Sequence, residues 1–198
     1  MEKPIIAVSL SGVVVSNEPF KRIHEFGINE LAKLSNMPEL VKKIGEDDYF
    51  VHVKKALKNV YYDLSMEEAI TKRRNLYCRR VVEMIYKNPN FIRRDVINFL
   101  RENKEKYNLV IVTNFLEKYV YEIFKIARVD GIFRYVSASK PKEEEDKEIV
   151  IGRLIGGFGH PEKLIGSVKS EKLCDKYGIE LIEFDCDGDN IERLKERF

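Results

Sequence analysis

The first apolar run of the chain, Pro4-Ile5-Ile6-Ala7-Val8, is continuous rather than alternating, which is the pattern of a central parallel strand covered on both faces. After Asn17-Glu18-Pro19 the spacing changes to a helical one, with Phe20, Ile23, Phe26, Leu31 and Leu34 separated by charges. Asn36-Met37-Pro38 interrupts that segment and Gly45 the next; helices are predicted from Glu46 to Tyr61 and from Ser65 to Tyr86. Ser65 followed by Glu67 and Glu68 is a helix start with acid in the first turn.

Beyond Asn88-Pro89-Asn90 short apolar runs alternate with amphipathic stretches. The reading gives a helix from Arg93 to Lys106, a strand at Leu109 to Thr113, a helix from Leu116 to Ala127 and a strand at Ile132 to Val136. It continues with a helix from Asp146 to Ile155, a strand at Lys163 to Gly166, a helix from Ser170 to Tyr177 and a strand at Glu180 to Phe184. Strands joined by helices of this length imply right-handed crossovers and an α/β fold with a parallel sheet. On such sheets ligands sit beyond the carboxyl ends of the strands. The expected division is an α/β core of residues 1–17 and 88–198 with a helical cap inserted at 18–87.

Composition narrows the function classes. With 35 basic and 33 acidic residues the net charge is +2, so no overall field draws nucleic acid. Cys78, Cys174 and Cys186 are odd in number and lack C-x-x-C spacing, which suggests neither disulfides nor zinc. No apolar run is long enough to span a bilayer and Met1-Glu2-Lys3 does not begin a signal peptide, so the expected place is the cytoplasm, with no membrane partner. Absence of Gln and Trp, with 34% charged residues, is a thermophile-like bias.

Four polar positions follow the strands in order, and together they carry a resemblance. Ser9-Leu10-Ser11-Gly12-Val13 after the first strand resembles the D-x-D-G-T/V motif of the haloacid dehalogenase-like (HAD) superfamily, with serine at both aspartates. Thr113-Asn114 resembles the hydroxyl that ends the family's second motif strand, and Ser139-Lys140-Pro141 its lysine, with Lys142 as an alternative register. Gly166-Ser167, followed by Glu171, stands where the family places its magnesium-binding acids. In that family the first aspartate is nucleophile and Mg²⁺ ligand and the second moves the leaving-group proton.

The resemblance therefore implies a HAD-like Rossmannoid core with a cap and, in the same residues, loss of the usual chemistry. A hydroxyl is a weak nucleophile without a base, and a hard divalent cation wants anionic or carbonyl oxygen. The implied protein is a pseudoenzyme that needs no cofactor, its family Mg²⁺ lost with Ser167 and Glu171 as degenerate metal positions. It would keep an anion pocket at Ser9, Ser11, Gly12, Thr113, Asn114 and Lys140 for a phosphorylated metabolite, or act as a scaffold. The alternative is an active hydrolase with an atypical site, for example Ser9 activated by His24 or His52 from the cap.

Two further features each admit two readings. Lys72-Arg73-Arg74 with Arg79-Arg80 is either an anion-binding face or a basic solvent-facing helix side. Asp185-Cys186-Asp187-Gly188-Asp189-Asn190 looks like a calcium loop, but its Gly is misplaced and no bidentate Glu follows; a turn capping the last helix is the better account. The motif reading predicts little or no hydrolysis of generic phosphate esters, with or without Mg²⁺. Robust turnover abolished by EDTA contradicts it.

Overall fold

The computed structural model describes residues 3–143, 146–184 and 191–198. A five-stranded, wholly parallel sheet has the order β3-β2-β1-β4-β5, built from β1 (Ile5–Ser9), β2 (Asn108–Leu116), β3 (Tyr135–Ser139), β4 (Lys163–Gly166) and β5 (Glu180–Glu183). The chain runs outward from β1 through β2 to β3, then crosses back to begin again at β4 on the other side of β1. The crevice between the carboxyl ends of β1 and β4 is thus the topological switch point, the place where such sheets bind ligands.

Two apolar layers sandwich the sheet. Ile6, Val8, Leu109 and Ile111 face one layer with α4 (Arg94–Asn103) and α5 (Glu117–Ala127). Ala7, Val110, Val112 and Leu164 face the other, with Val150, Ile151 and Leu154 of α6 (Lys147–Gly157) and Cys174 of α7 (Glu171–Tyr177). Each fully buried aliphatic side chain contributes roughly 1.5–3 kcal/mol. The chain ends in α8 (Ile191–Arg197), against which α4 packs through Phe99 and Phe198. The calcium-like stretch at Asp185 to Asn190 lies outside the described residues.

Between β1 and β2 the insert folds as α1 (Glu18–Leu34), a 3₁₀ turn Pro38–Lys43, α2 (Tyr49–Val60) and α3 (Met66–Lys87). Ile28, Leu31, Leu40, Ala56, Leu57 and Ala69 form a separate cluster there. The lower half of α3 belongs to the main core instead, through Cys78, Val81, Val82 and Ile85. One helix therefore joins the insert to the sheet. Among the described residues, no helix is long and apolar enough to cross a membrane.

Several boundaries differ from the sequence reading. Phe26 and Leu34 do not face the core: they are 55% and 64% exposed, and the buried face of α1 runs through Ile23, Ile28 and Leu31. The third strand is Tyr135–Ser139 rather than Ile132 to Val136. Ile132 and Phe133 are drawn into the preceding turn, where Phe133 stacks on Phe124, and buried Ser137 satisfies its hydroxyl by donating to the Val150 carbonyl. The second strand runs on to Leu116, with an irregularity in its pairing to β3 between Thr113 and Leu116.

The start of α3 is a capping box. The Ser65 hydroxyl accepts from the Glu68 N–H, while the Glu68 carboxylate accepts from the Ser65 N–H. Ser65→Ala is expected to cost about 1 kcal/mol, lowering Tm by roughly 2–4 °C in a chain of this size. Differential scanning calorimetry measures it, and an unchanged Tm contradicts the cap.

Candidate functional site

The site is assembled where β1 and β4 end side by side. Ser9 is the last residue of β1, in register with Val112 of β2, and its hydroxyl faces Gly166 at the end of β4. A Cβ on Gly166 would stand 2.7 Å from the Ser9 Oγ, so glycine is what lets that hydroxyl occupy the crevice. Beyond Ser9 the chain turns tightly: the Gly12 N–H donates to the Val15 carbonyl at 2.8 Å, and Gly12 has a φ of +79°, which glycine adopts without cost.

The crevice is occupied by an amine. Lys147, the first residue of α6, donates from Nζ to the Ser170 Oγ at 2.7 Å and to the Ser9 Oγ at 3.3 Å. Ser170 is held by the 3₁₀ turn after β4, its N–H bonded to the Ser167 carbonyl, and is 2% exposed. Among the described residues no carboxylate forms an ion pair with Lys147. Burial pushes its pKa below the ordinary lysine value, opposed among the described residues by the Cys174 thiol of α7. A lysine in the first turn of a helix also sits at the positive end of the helix dipole. Both effects make the charged form costly unless an anion arrives.

The residues singled out from sequence separate into two groups. Ser9 and Thr113 lie buried at the strand ends, 6% and 8% exposed, and the Thr113 Oγ1 accepts the Phe115 N–H at 3.2 Å across the irregularity of β2. Asn114 follows; its carbonyl accepts from Arg74 at 3.3 Å, while its buried Oδ1 has no partner among the described residues. Ser11 is exposed. Lys140 is also exposed; its N–H donates to the Glu143 carboxylate, and it lines a surface depression with Tyr121 and Arg153. The ammonium that reaches Ser9 is Lys147's, seven residues further on. Ser167 caps the 3₁₀ turn without a side-chain bond, and Glu171 is exposed on α7.

Lys147 was missed because the run from Lys140 to Glu148 reads as a solvated charged loop, and Ser170 because it reads only as the start of a helix. The available signal was electrostatic: a lysine directly after the helix N-cap Asp146, whose carboxylate accepts the Glu148 N–H, opposes the dipole. His24 and His52 are engaged elsewhere, with the Tyr49 hydroxyl at 3.1 Å and the Asp48 carboxylate at 3.0 Å, so the Ser9 partner is a core lysine and not a histidine of the insert.

The basic cluster divides: Lys72 and Arg79 face solvent, whereas Arg73, Arg74 and Arg80 are half-buried or buried. Buried Arg74 donates to the carbonyls of Glu143 and Asn114, joining α3 to the loops around the crevice. Arg73 and Arg80 both pair with Glu30, whose carboxylate is held below its usual range chiefly by the Arg80 hydrogen bond. Above them lies a cavity of about 500 Å³ with an apolar wall that includes Ile28, Leu31, Leu57 and Ile70, edged by Arg74 and Glu143.

Magnesium does not fit the described donor set. Neutral hydroxyls and a lysine ammonium offer no anionic oxygen to a hard cation and repel it. Among the described residues no three His, Cys, Asp or Glu side chains come together as a metal-holding group.

Comparison with known proteins places the fold. No protein-family profile matches the chain, and no curated protein sequence does. Solved structures are similar over nearly the whole length. A haloacid dehalogenase-like hydrolase from Streptococcus pneumoniae is 20% identical with a TM-score of 0.54, covering 98% of this chain and 90% of that one. A HAD family enzyme from Bacteroides thetaiotaomicron, in complex with magnesium and inorganic phosphate, is 15% identical with a TM-score of 0.55, covering 98% and 99%. Protein tyrosine kinase A of Mycobacterium tuberculosis is 16% identical with a TM-score of 0.59, covering 100% and 99%.

Lys147 makes a linkage prediction. Its pKa in the folded protein is depressed below the value of about 10.4 expected when unfolded, so between the two the unfolded chain binds more protons and stability rises with pH. Lys147→Met removes this rise: the variant is expected to be the more stable at neutral pH, with the gap closing as pH nears about 10. Guanidinium unfolding at two pH values measures it, and parallel pH profiles contradict it. The strand order, the switch-point crevice and these neighbours together show that the chain has the fold of the haloacid dehalogenase-like superfamily.

Proposed function

We propose that this protein binds a phosphoryl or similar oxyanion in the crevice between β1 and β4, as a HAD-like protein that has lost the metal-dependent reaction of its fold. The helices of residues 18–87 serve as its cap. The observation that carries the reading is Lys147: an ammonium held by two hydroxyls, with no carboxylate partner among the described residues. A buried charge of that kind is stabilised by a counter-ion from solution. The first-turn N–H groups of α6 add to the same positive potential.

In this reading Lys147 takes the place of Lys140 as the cation, while Ser9, the main chain at Gly12, Thr113 and Asn114 supply hydrogen bonds. Ser11 and Lys140 are peripheral. Aspartates at positions 9 and 11 would repel an incoming anion unless a cation sat among them; serines do not. The B. thetaiotaomicron enzyme of similar fold holds inorganic phosphate together with magnesium. Here the lysine stands in for part of that positive charge. A phosphorylated metabolite is the natural ligand class, its remaining part reaching toward the cavity that Arg74 and Glu143 edge.

Inorganic phosphate at about a hundred times its Kd is expected to stabilise the protein by about 2.7 kcal/mol, a rise of roughly 5–11 °C in Tm. Lys147→Met abolishes the rise and Lys140→Ala leaves it intact. If no phosphate, sulfate or phosphorylated metabolite moves the Tm, the anion reading falls. The protein then acts through its surface, on which Phe26, Leu34, Phe50 and Val51 of the cap lie exposed.

A further inference from the structure

The hydroxyl of Ser9 has an amine beside it, and the anion site uses that amine only in its charged form. Its neutral form has a lone pair. Of the two hydroxyls that Lys147 Nζ contacts, Ser170 is the nearer at 2.7 Å and Ser9 lies at 3.3 Å. A neutral amine that keeps one N–H on the Ser170 oxygen can turn its lone pair toward the Ser9 O–H, so the two contacts divide into an orienting one and a proton-accepting one.

We propose that Ser9 and Lys147 form a serine–lysine nucleophilic pair, with Ser170 as a positioning residue, able to cleave a carboxylic ester by way of an acyl-serine. This goes beyond the anion-site reading and does not rest on it, since the reaction can be followed with no anion bound.

The chemistry is complete with the groups present. Ser9 Oγ attacks the acyl carbon as its proton passes to Lys147 Nζ. The resulting ammonium lies next to the tetrahedral oxyanion and stabilises it. The intermediate collapses with cleavage of the bond to the leaving alcohol, whose oxygen takes the proton back from Lys147. Water then attacks acyl-Ser9, giving its proton to the amine, and the Ser9 C–O bond breaks as Oγ is reprotonated. The net reaction is ester plus water to acid plus alcohol, with no oxidant, metal or cofactor.

Three structural features favour the pair. Desolvation of Lys147 raises the fraction of free amine at neutral pH, and the groups that face it on the packed elements are hydroxyls of Ser9 and Ser170 and the thiol of Cys174, with no described carboxylate to hold the proton on. Gly166 leaves the approach to Ser9 Oγ free of a side chain. Ser9 and Thr113, buried to 6% and 8% exposure, both lie at strand ends that border the crevice.

A fluorophosphonate probe tests the proposal directly. Attack by Ser9 expels fluoride, passes the serine proton to Lys147 and leaves a phosphonyl-serine that intact-mass and peptide spectrometry detect. The expected result is a single adduct on Ser9, formed faster as pH is raised from about 7 to about 10, with p-nitrophenyl acetate hydrolysis following the same profile. Ser9→Ala removes both. Lys147→Met, checked for its melting transition, slows labelling by roughly a hundredfold. Ser170→Ala moves the pH midpoint downward, because the ammonium loses a hydrogen-bond acceptor, and Ser170→Thr restores it; a merely structural Ser170 leaves the midpoint alone. Absence of a Ser9 adduct on folded wild-type protein across that pH range overturns the proposal, as does labelling at the wild-type rate in Lys147→Met. The anion reading is judged separately, by phosphate stabilisation, and each can fail without the other.

Discussion

Everything around the crevice follows from one buried amine. Lys147 sits at the start of α6, between the last residue of β1 and the turn after β4, where among the described residues Ser9, Ser170 and the thiol of Cys174 meet it. An amine in that position is unfavourable as an isolated charge, because desolvation and the helix dipole act against it together. The same two effects make it receptive to an anion when protonated and basic when not. The serines belong to this arrangement. With aspartates at positions 9 and 167, the amine would be neutralised internally, and neither property would remain.

The sheet explains why these residues meet at all. Strand order β3-β2-β1-β4-β5 brings β1 beside β4 although the two are far apart in sequence: the single crossover from β3 to β4 does so. That crossover contains α6, so its amino end is delivered over the gap between the two strands. The insert is tied to the same place by α3, whose lower half packs in the main core and whose Arg74 donates to the carbonyls of Asn114 and Glu143. Movement of the insert relative to the sheet would have to break or carry those bonds, which couples the insert's position to the loops that line the crevice.

Much of this was legible in the residues. Apolar runs at Ile5 to Val8 and Leu109 to Val112 read as buried strands because nothing polar interrupts them, and the order of polar endings identified the fold. Where the reading slipped, tertiary context had overridden local pattern. Tyr135–Ser139 is a strand although three of its five residues are Ser or Ala, since Ser137 finds the Val150 carbonyl inside the core. Phe26 and Leu34 share helical spacing with the buried face of α1 and yet face outward. Lys140 followed by Pro141 had the local look of the family's lysine, whereas Lys147 was hidden in a run of charges, and only the path of the crossover distinguishes them.

The central claim is that Lys147 is a desolvated amine poised between an anion and a neutral base, and its own titration tests that most directly. With ¹³C label at lysine Cε, NMR should show the Lys147 resonance titrating below the other lysines, its midpoint moving upward when inorganic phosphate is added, and the outlying signal missing from Lys147→Met. A Lys147 signal that titrates with the bulk of the lysines and ignores phosphate would contradict the account.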